Sequence, residues 1–238
     1  MSVYSVHKPG LLESAVNKLL ARELEVRRVD EPVEGFRLVT FGASALRDQS
    51  WTPGDMMQLS FGGWEHRAYT PIAYDAARGE LTFLAVIHGG EGIASQWLAT
   101  LKGGERCQVG KLRHALNLPA LQRPLVMFGD ETSIGTAAAM GPRVQGRLVF
   151  EANSVEQTQA MLAHLGLTAT VVQREDLEGV DRAVLAACRG ASDVVLTGKS
   201  TSIQRLYRAV RKLEPRPRKI LNMAYWATGK RGLSGVQK

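Results

Sequence analysis

The sequence predicts a small antiparallel β-barrel followed by a parallel α/β sheet. Three observations predict it. Between Val26 and Gly110, short stretches of alternating apolar and polar residues are broken by turn signals, with little helical periodicity. From Pro124 onward, continuous apolar and β-branched runs alternate with helical stretches, the pattern of a parallel sheet wrapped by helices. The 238 residues are enough for one large or two modest cores. We place the boundary between residues 117 and 118, before Leu118-Pro119.

In residues 8–24, Leu11, Leu12, Ala15, Val16, Leu19 and Leu20 recur at helical spacing, and Pro9 suits a first turn, so an early helix is expected. The period then changes to two. Residues 26–29 and 35–41 read as strands; in the second, Phe36, Leu38 and Thr40 share one face and Arg37, Val39 and Phe41 the other. Thr52-Pro53-Gly54-Asp55 is a turn in which Pro supplies the first central φ and Gly the positive one. Strands follow at 56–61, 67–73 and 80–87. Along the middle one, alternation puts Arg67, Tyr69 and Pro71 on one face and Ala68 and Thr70 on the other. A glycine-rich turn from His88 to Gly92 leads into a helix starting near Ile93, and residues 106–110 read as the strand that closes the barrel. Lys111, Arg113 and His114 then make a small basic patch, with His114 read as a solvated loop histidine.

In the second half, strands are expected at 124–129, 147–150, 169–172, 193–197 and 219–225, and helices at 130–140, 154–165, 181–188 and 202–213. Ligands gather at the carboxyl ends of such strands. Three of those ends carry chemistry: Gly129-Asp130-Glu131-Thr132, Gly198-Lys199-Ser200-Thr201 and Trp226-Ala227-Thr228-Gly229-Lys230.

Composition narrows the function classes. The net charge of +7 admits anionic partners, but the basic residues are scattered as far as Lys199 and are not interleaved with aromatics, so nucleic acid is not expected. No run is apolar and long enough to insert in a membrane, and Met1 to Pro9 has no basic-then-apolar leader pattern, so a cytoplasmic protein is expected. Cys107 and Cys188 are too few for a plant-type iron–sulfur cluster and read as two reduced thiols. No side chain is assigned as acid, base, nucleophile or metal ligand.

The segment His66-Arg67-Ala68-Tyr69-Thr70-Pro71 gathers a cation, an aromatic ring and a hydroxyl at a strand end. A flavin cofactor needs those three: a guanidinium for phosphate, a ring against the isoalloxazine, and a small hydrogen-bonding group near N5. The turn before Ile93 lets backbone N–H groups face a phosphate, because glycines admit close approach and the first-turn amides are free. Arg67-Ala68-Tyr69-Thr70-Pro71, then His88 and Gly92-Ile93-Ala94-Ser95-Gln96-Trp97, then Gly129-Asp130-Glu131-Thr132, then Tyr225-Trp226 with Gly229, together resemble the siderophore-interacting protein family, FAD-dependent ferric-siderophore reductases of the ferredoxin-reductase-like superfamily. The order of the four motifs, spread from about Glu25 to Gly232, is more specific than any one of them. Three positions depart from the family pattern: Ile72 stands where the family has a second arginine, Ile93 where it has a proline, and Lys111 after Gly110 where the family often has a proline.

That resemblance implies an FAD-binding barrel and an NAD(P)H-binding α/β domain with a C-terminal substrate segment. It implies a cofactor site of Arg67, Tyr69, Thr70, Pro71, His88, Gly92, Ala94, Ser95, Asp130, Thr132 and Trp226. Lys199, Lys230 and Arg231 would form a basic mouth for an anionic ferric siderophore. The donor is NADH, NADPH or ferredoxin; Glu151, after the second strand of the sheet, suits a ribose diol, and Lys199 a 2′-phosphate. Two alternatives stay open at this point: a general NAD(P)H:flavin or quinone-type oxidoreductase, and a non-enzymatic flavin- or siderophore-binding protein.

Overall fold

The fold is described from a computed structural model, covering residues 21–61, 66–88, 92–110, 112–141 and 147–229. Eight strands form the first sheet: β1 (Ala21–Val33), β2 (Phe36–Gly42), β3 (Asp55–Ser60), β4 (His66–Tyr69), β5 (Pro71–Asp75), β6 (Glu80–Val86), β7 (Arg106–Gly110) and the two-residue β8 (Arg113–His114). The hydrogen-bonded path runs β4-β3-β7-β1-β2-β6-β5, with β8 added to β3, and every pairing is antiparallel. Helix α1 (Ile93–Thr100) bridges β6 and β7. The barrel interior is apolar, with Leu24, Val26, Phe41, Leu59, Leu81 and Phe83 essentially inaccessible to water.

The expected Thr52–Asp55 turn forms as read: Asp55 N–H donates to the Thr52 carbonyl at 2.9 Å, and Gly54 takes φ +99°. Glycine is also required there by space, because a Cβ would lie 2.0 Å from the Leu116 carbonyl oxygen.

Four expectations change. The early helix was expected to run to Leu24, but 21–24 are the start of β1; the rest of that expectation lies outside the described residues. The β7 ladder, from Ala21↔Gly110 to Leu24↔Cys107, satisfies this backbone and puts Leu24 in the barrel core, which outweighs the helical spacing. The expected strand 67–73 is two strands. β4 pairs with β3 and β5 with β6, at opposite ends of the path, so the chain breaks at Thr70 and closes the barrel there. β7 is consequently not the closing strand: it lies inside the sheet, between β3 and β1. His114 is not simply solvated, since its Nδ1 sits 2.9 Å from Asp55 Oδ1.

The second sheet is parallel, in the order β11-β10-β9-β12-β13, from β9 (Leu125–Gly129), β10 (Leu148–Ala152), β11 (Thr170–Gln173), β12 (Asp193–Lys199) and β13 (Lys219–Trp226). Helices α2 (Ile134–Met140), α3 (Val155–His164), α4 (Leu177–Cys188) and α5 (Ser200–Val210) connect them. Strand order reverses between β9 and β12, which makes the crevice at their carboxyl ends the natural ligand position. The two sheets share one core: Phe36 and Leu84 of the barrel pack in the same cluster as Leu125, Met127, Ile134 and Phe150. Cys188 is buried and Cys107 half-buried, and burial pushes their thiols up to about 11 and about 12, so both are unreactive thiols at neutral pH.

Candidate functional site

On the barrel side the site is built around the break at Thr70. Tyr69, the last residue of β4, packs its ring on Phe83 with centroids 4.6 Å apart, and burial pushes its phenol above the ordinary range. Pro71 is buried at the start of β5. Arg67 is half-buried, and its Nη1 donates to the His66 carbonyl at 2.8 Å. Ile72 turns towards the other sheet: a Cβ on Gly135, at the start of α2, would stand 3.5 Å from Ile72 Cγ2 and 3.5 Å from the Thr70 carbonyl oxygen. Where the family pattern has a second arginine, this chain therefore has apolar packing between β5 and α2.

Helix α1 is held at both ends. Ser95 is buried, and its hydroxyl donates to the His88 carbonyl at 2.5 Å, which ties the helix to the chain leaving β6; residues 89–91 of the expected glycine-rich turn lie outside the described residues. At the other end a guanidinium N–H of Arg37, on β2, donates to the Leu98 carbonyl. Gly92 is the N-cap in an extended conformation with no side-chain cap, so the first-turn amides keep their hydrogen-bonding capacity. Ala94 is buried like Ser95, whereas Gly92 and His88 are exposed. This end of α1 offers a phosphate backbone N–H groups, not the Ala94 or Ser95 side chains.

The α/β side contributes a polar cluster at the carboxyl edge of its sheet. Asp130 follows β9 and is fully buried. Its Oδ1 accepts from Thr132 N at 2.9 Å and from the Thr132 hydroxyl, and its Oδ2 accepts from Trp226 Nε1 at 2.7 Å. Burial is the main influence on this carboxyl and raises its pKa. Gly198 makes the arrangement possible. It takes φ +98°, and a Cβ there would lie 2.5 Å from Asp130 Oδ2. Gly198→Ala is expected to cost about 1–3 kcal/mol in backbone strain alone, before displacement of Asp130, and a lowered melting temperature checks it. The Trp226 ring is approached by Lys199 Nζ at 5.3 Å and Arg174 Cζ at 5.5 Å. Arg174 also pairs with Glu131 and donates to Asn153 Oδ1 at 2.7 Å.

One hydroxyl bond joins the halves, and a second continues it within the α/β side. Thr136 Oγ1, on α2, donates to Thr70 Oγ1 at 3.3 Å and lies 2.6 Å from the Tyr225 hydroxyl at the end of β13.

Residues 63–113 match the family model of the siderophore-interacting FAD-binding domain. Among solved structures, the siderophore-interacting protein SipS from Aeromonas hydrophila is similar at 19% identity and TM-score 0.70, over 89% of this chain and 93% of its own. A siderophore utilization protein from T. fusca shares 21% identity at TM-score 0.65, over 90% of this chain and 95% of its own. A ferredoxin-NADP+ reductase from Plasmodium falciparum is similar at 11% identity and TM-score 0.62, over 86% of this chain and 96% of its own. These likenesses show the fold, an antiparallel barrel followed by a parallel α/β sheet. No curated protein matches the chain.

The residues gathered here suit an FAD: a guanidinium and uncapped helix amides for phosphate, an aromatic ring and a hydroxyl at the strand break. Tyr69, Thr70 and Pro71 lie together at the barrel closure, and Thr70 touches the α/β side. Thr132 is exposed at the carboxyl edge, but Asp130 beneath it is not. Lys199 is half-buried and engaged with Trp226; Lys230 and Arg231 lie outside the described residues. Glu151 departs from its expected role. It is inside β10, inaccessible to water, and both oxygens accept from Ser202 Oγ at 2.8 and 2.9 Å, so it does not face a ribose. Sequence reasoning missed Thr136, Arg174 and Gly198. Gly198, immediately before Lys199 in a strand end already singled out, was the one with a visible signal.

Proposed function

We propose that the protein is a cytoplasmic, FAD-dependent reductase of ferric siderophores that takes electrons from NAD(P)H. Residues 1–117 form the flavin unit and 118–238 the donor and substrate unit. The observation that carries the reading is the position of Thr70. It ends the Arg-x-Tyr-Thr segment of a siderophore-interacting FAD-binding domain and is hydrogen-bonded to the first helix of the α/β domain. A flavin lying on that segment has its reactive edge where the two domains meet.

Arg67 and the α1 amides, exposed beside Gly92 and His88, bind the phosphates. Tyr69 and Pro71 support the isoalloxazine and Thr70 meets its N5 edge. FAD, when bound, supplies the conversion between the electron pair of a nicotinamide and the single electron that Fe(III) accepts. Thr132, with Asp130 and Trp226 behind it, forms the donor side. Lys199, Lys230 and Arg231 attract the anionic chelate by long-range charge. Hard oxygen donors hold Fe(III) more tightly than Fe(II), so reduction releases the metal without any protein acid or base.

The purified protein is expected to be yellow and to release FAD on denaturation. Under nitrogen, NADH or NADPH should bleach it, and a ferric siderophore should restore the colour with formation of Fe(II). A colourless protein that takes up no added FAD would sink the reading. Bleaching followed by reoxidation with quinones or free flavin, but not with ferric chelates, would replace it with a general reductase.

A further inference from the structure

Thr136 is fully buried, and the direction of its hydrogen bonds can be worked out. A hydroxyl has one proton and two acceptor sites. Towards Thr70 the geometry allows Thr136 to be the donor, at 3.3 Å. Its only proton is spent there. The 2.6 Å contact to Tyr225 must then be donated by the phenol. That phenol keeps its proton at any neutral pH, because burial pushes it up to about 12. The order is therefore Tyr225 to Thr136 to Thr70.

Three hydroxyls carry three protons, and this chain uses two. The remaining proton belongs to Thr70. It can turn back towards the phenol oxygen, which also feels Thr70, or outward at the strand break. Thr70 sits between β4 and β5, where neither neighbouring ladder claims it. Accepting from Thr136 polarises its O–H and makes it a better donor.

Resting on the FAD reading above, we propose that Thr136 and Tyr225, two residues of the α/β half, set the polarity of Thr70 so that it meets the flavin N5 edge as a hydrogen-bond donor. Oxidised N5 is an acceptor and is served by this order. Reduced N5 carries a hydrogen and gains nothing from a strengthened donor. The order therefore favours the oxidised cofactor and holds the flavin potential down. Thr136 and Tyr225 are positioning residues: they act through Thr70.

The test uses the full chain loaded with FAD, with Thr136→Val, Thr136→Ser and Tyr225→Phe. Midpoint potential is read under nitrogen against a reference dye, alongside the flavin absorption band and the FAD content. Thr136→Val is expected to shift the potential upward and move the band, with FAD content unchanged. The lost effect acts in that direction: without the bond from Thr136, Thr70 is a weaker donor to oxidised N5. Tyr225→Phe should shift it the same way by less, and Thr136→Ser should restore the parental values. Parental potential and spectrum in Thr136→Val at full FAD content would overturn the inference and leave the FAD reading standing. So would an equal shift in Thr136→Ser, since packing and not the hydroxyl would then be responsible. If Thr136→Val does not fold, Tyr225→Phe decides alone by the same two readouts. A parental protein that binds no FAD takes down the site reading and this inference together, before any variant is made.

Discussion

Arg67→Ala is expected to weaken FAD binding about ten- to hundredfold. A hydrogen bond to a charged group contributes roughly 1.5–3 kcal/mol, and the phosphate end has little else to draw on. The family pattern has a second arginine shortly after the first, but here that position is Ile72, packed against the start of α2. The remaining contribution comes from the α1 amides, which are uncharged. Titration of FAD-stripped protein with FAD, followed by fluorescence quenching, reads the change directly. The loss should shrink as salt rises, because screening already weakens the parental charge contact. An unchanged dissociation constant would make Arg67 a residue of the barrel rim and leave phosphate binding to α1.

Asp130→Ala is expected to destabilise the protein by about 2–4 kcal/mol. It removes a cap on the turn at Glu131–Ser133, worth about 1 kcal/mol. It also leaves the Trp226 indole N–H without its acceptor, at a further cost of about 1–3 kcal/mol for a buried group. Urea unfolding checks the magnitude, and Trp226 fluorescence should report a changed ring environment. Asp130→Asn should fall between the two proteins, because one amide oxygen cannot serve both the Thr132 and Trp226 sides. The pH dependence follows from the raised pKa. A carboxyl raised on folding stabilises most fully below its unfolded pKa and loses that contribution as pH rises through the folded value. Parental stability relative to Asp130→Asn should therefore decline as pH climbs from the ordinary aspartate range. A flat difference across that window would mean that Trp226, Thr132 and Arg174 together offset the burial of the charge.

The local grammar of this chain was readable from the sequence wherever neighbours in sequence do the work. The Thr52–Asp55 turn needs only Pro53 and Gly54 in order, and it forms. The strand 125–129 is apolar throughout because both its faces are covered, and all five residues are buried. Ser154 was read as the start of a helix, and its hydroxyl caps α3 by accepting from Gln157 N–H at 3.2 Å. The order of four motifs likewise carried the family resemblance of the FAD-binding domain, because each motif is a short run with its own backbone requirement.

Tertiary structure decided what depends on residues far apart in the chain. Alternation along 67–71 is the same whether one strand continues or two strands part at Thr70; the partners β3 and β6 make the choice. Glu151 looks accessible at a strand end until Ser202, 51 positions later, closes over it. Thr136 lies 66 positions from Thr70 and 89 from Tyr225, and in sequence it is one small residue in a helix of small residues. Periodicity records which face of an element is buried and nothing about which other element covers it. The barrel, the sheet and the motif order follow from local pattern; the hydroxyl chain, the Asp130–Trp226 bond and the loss of Glu151 from the ligand edge follow from packing alone.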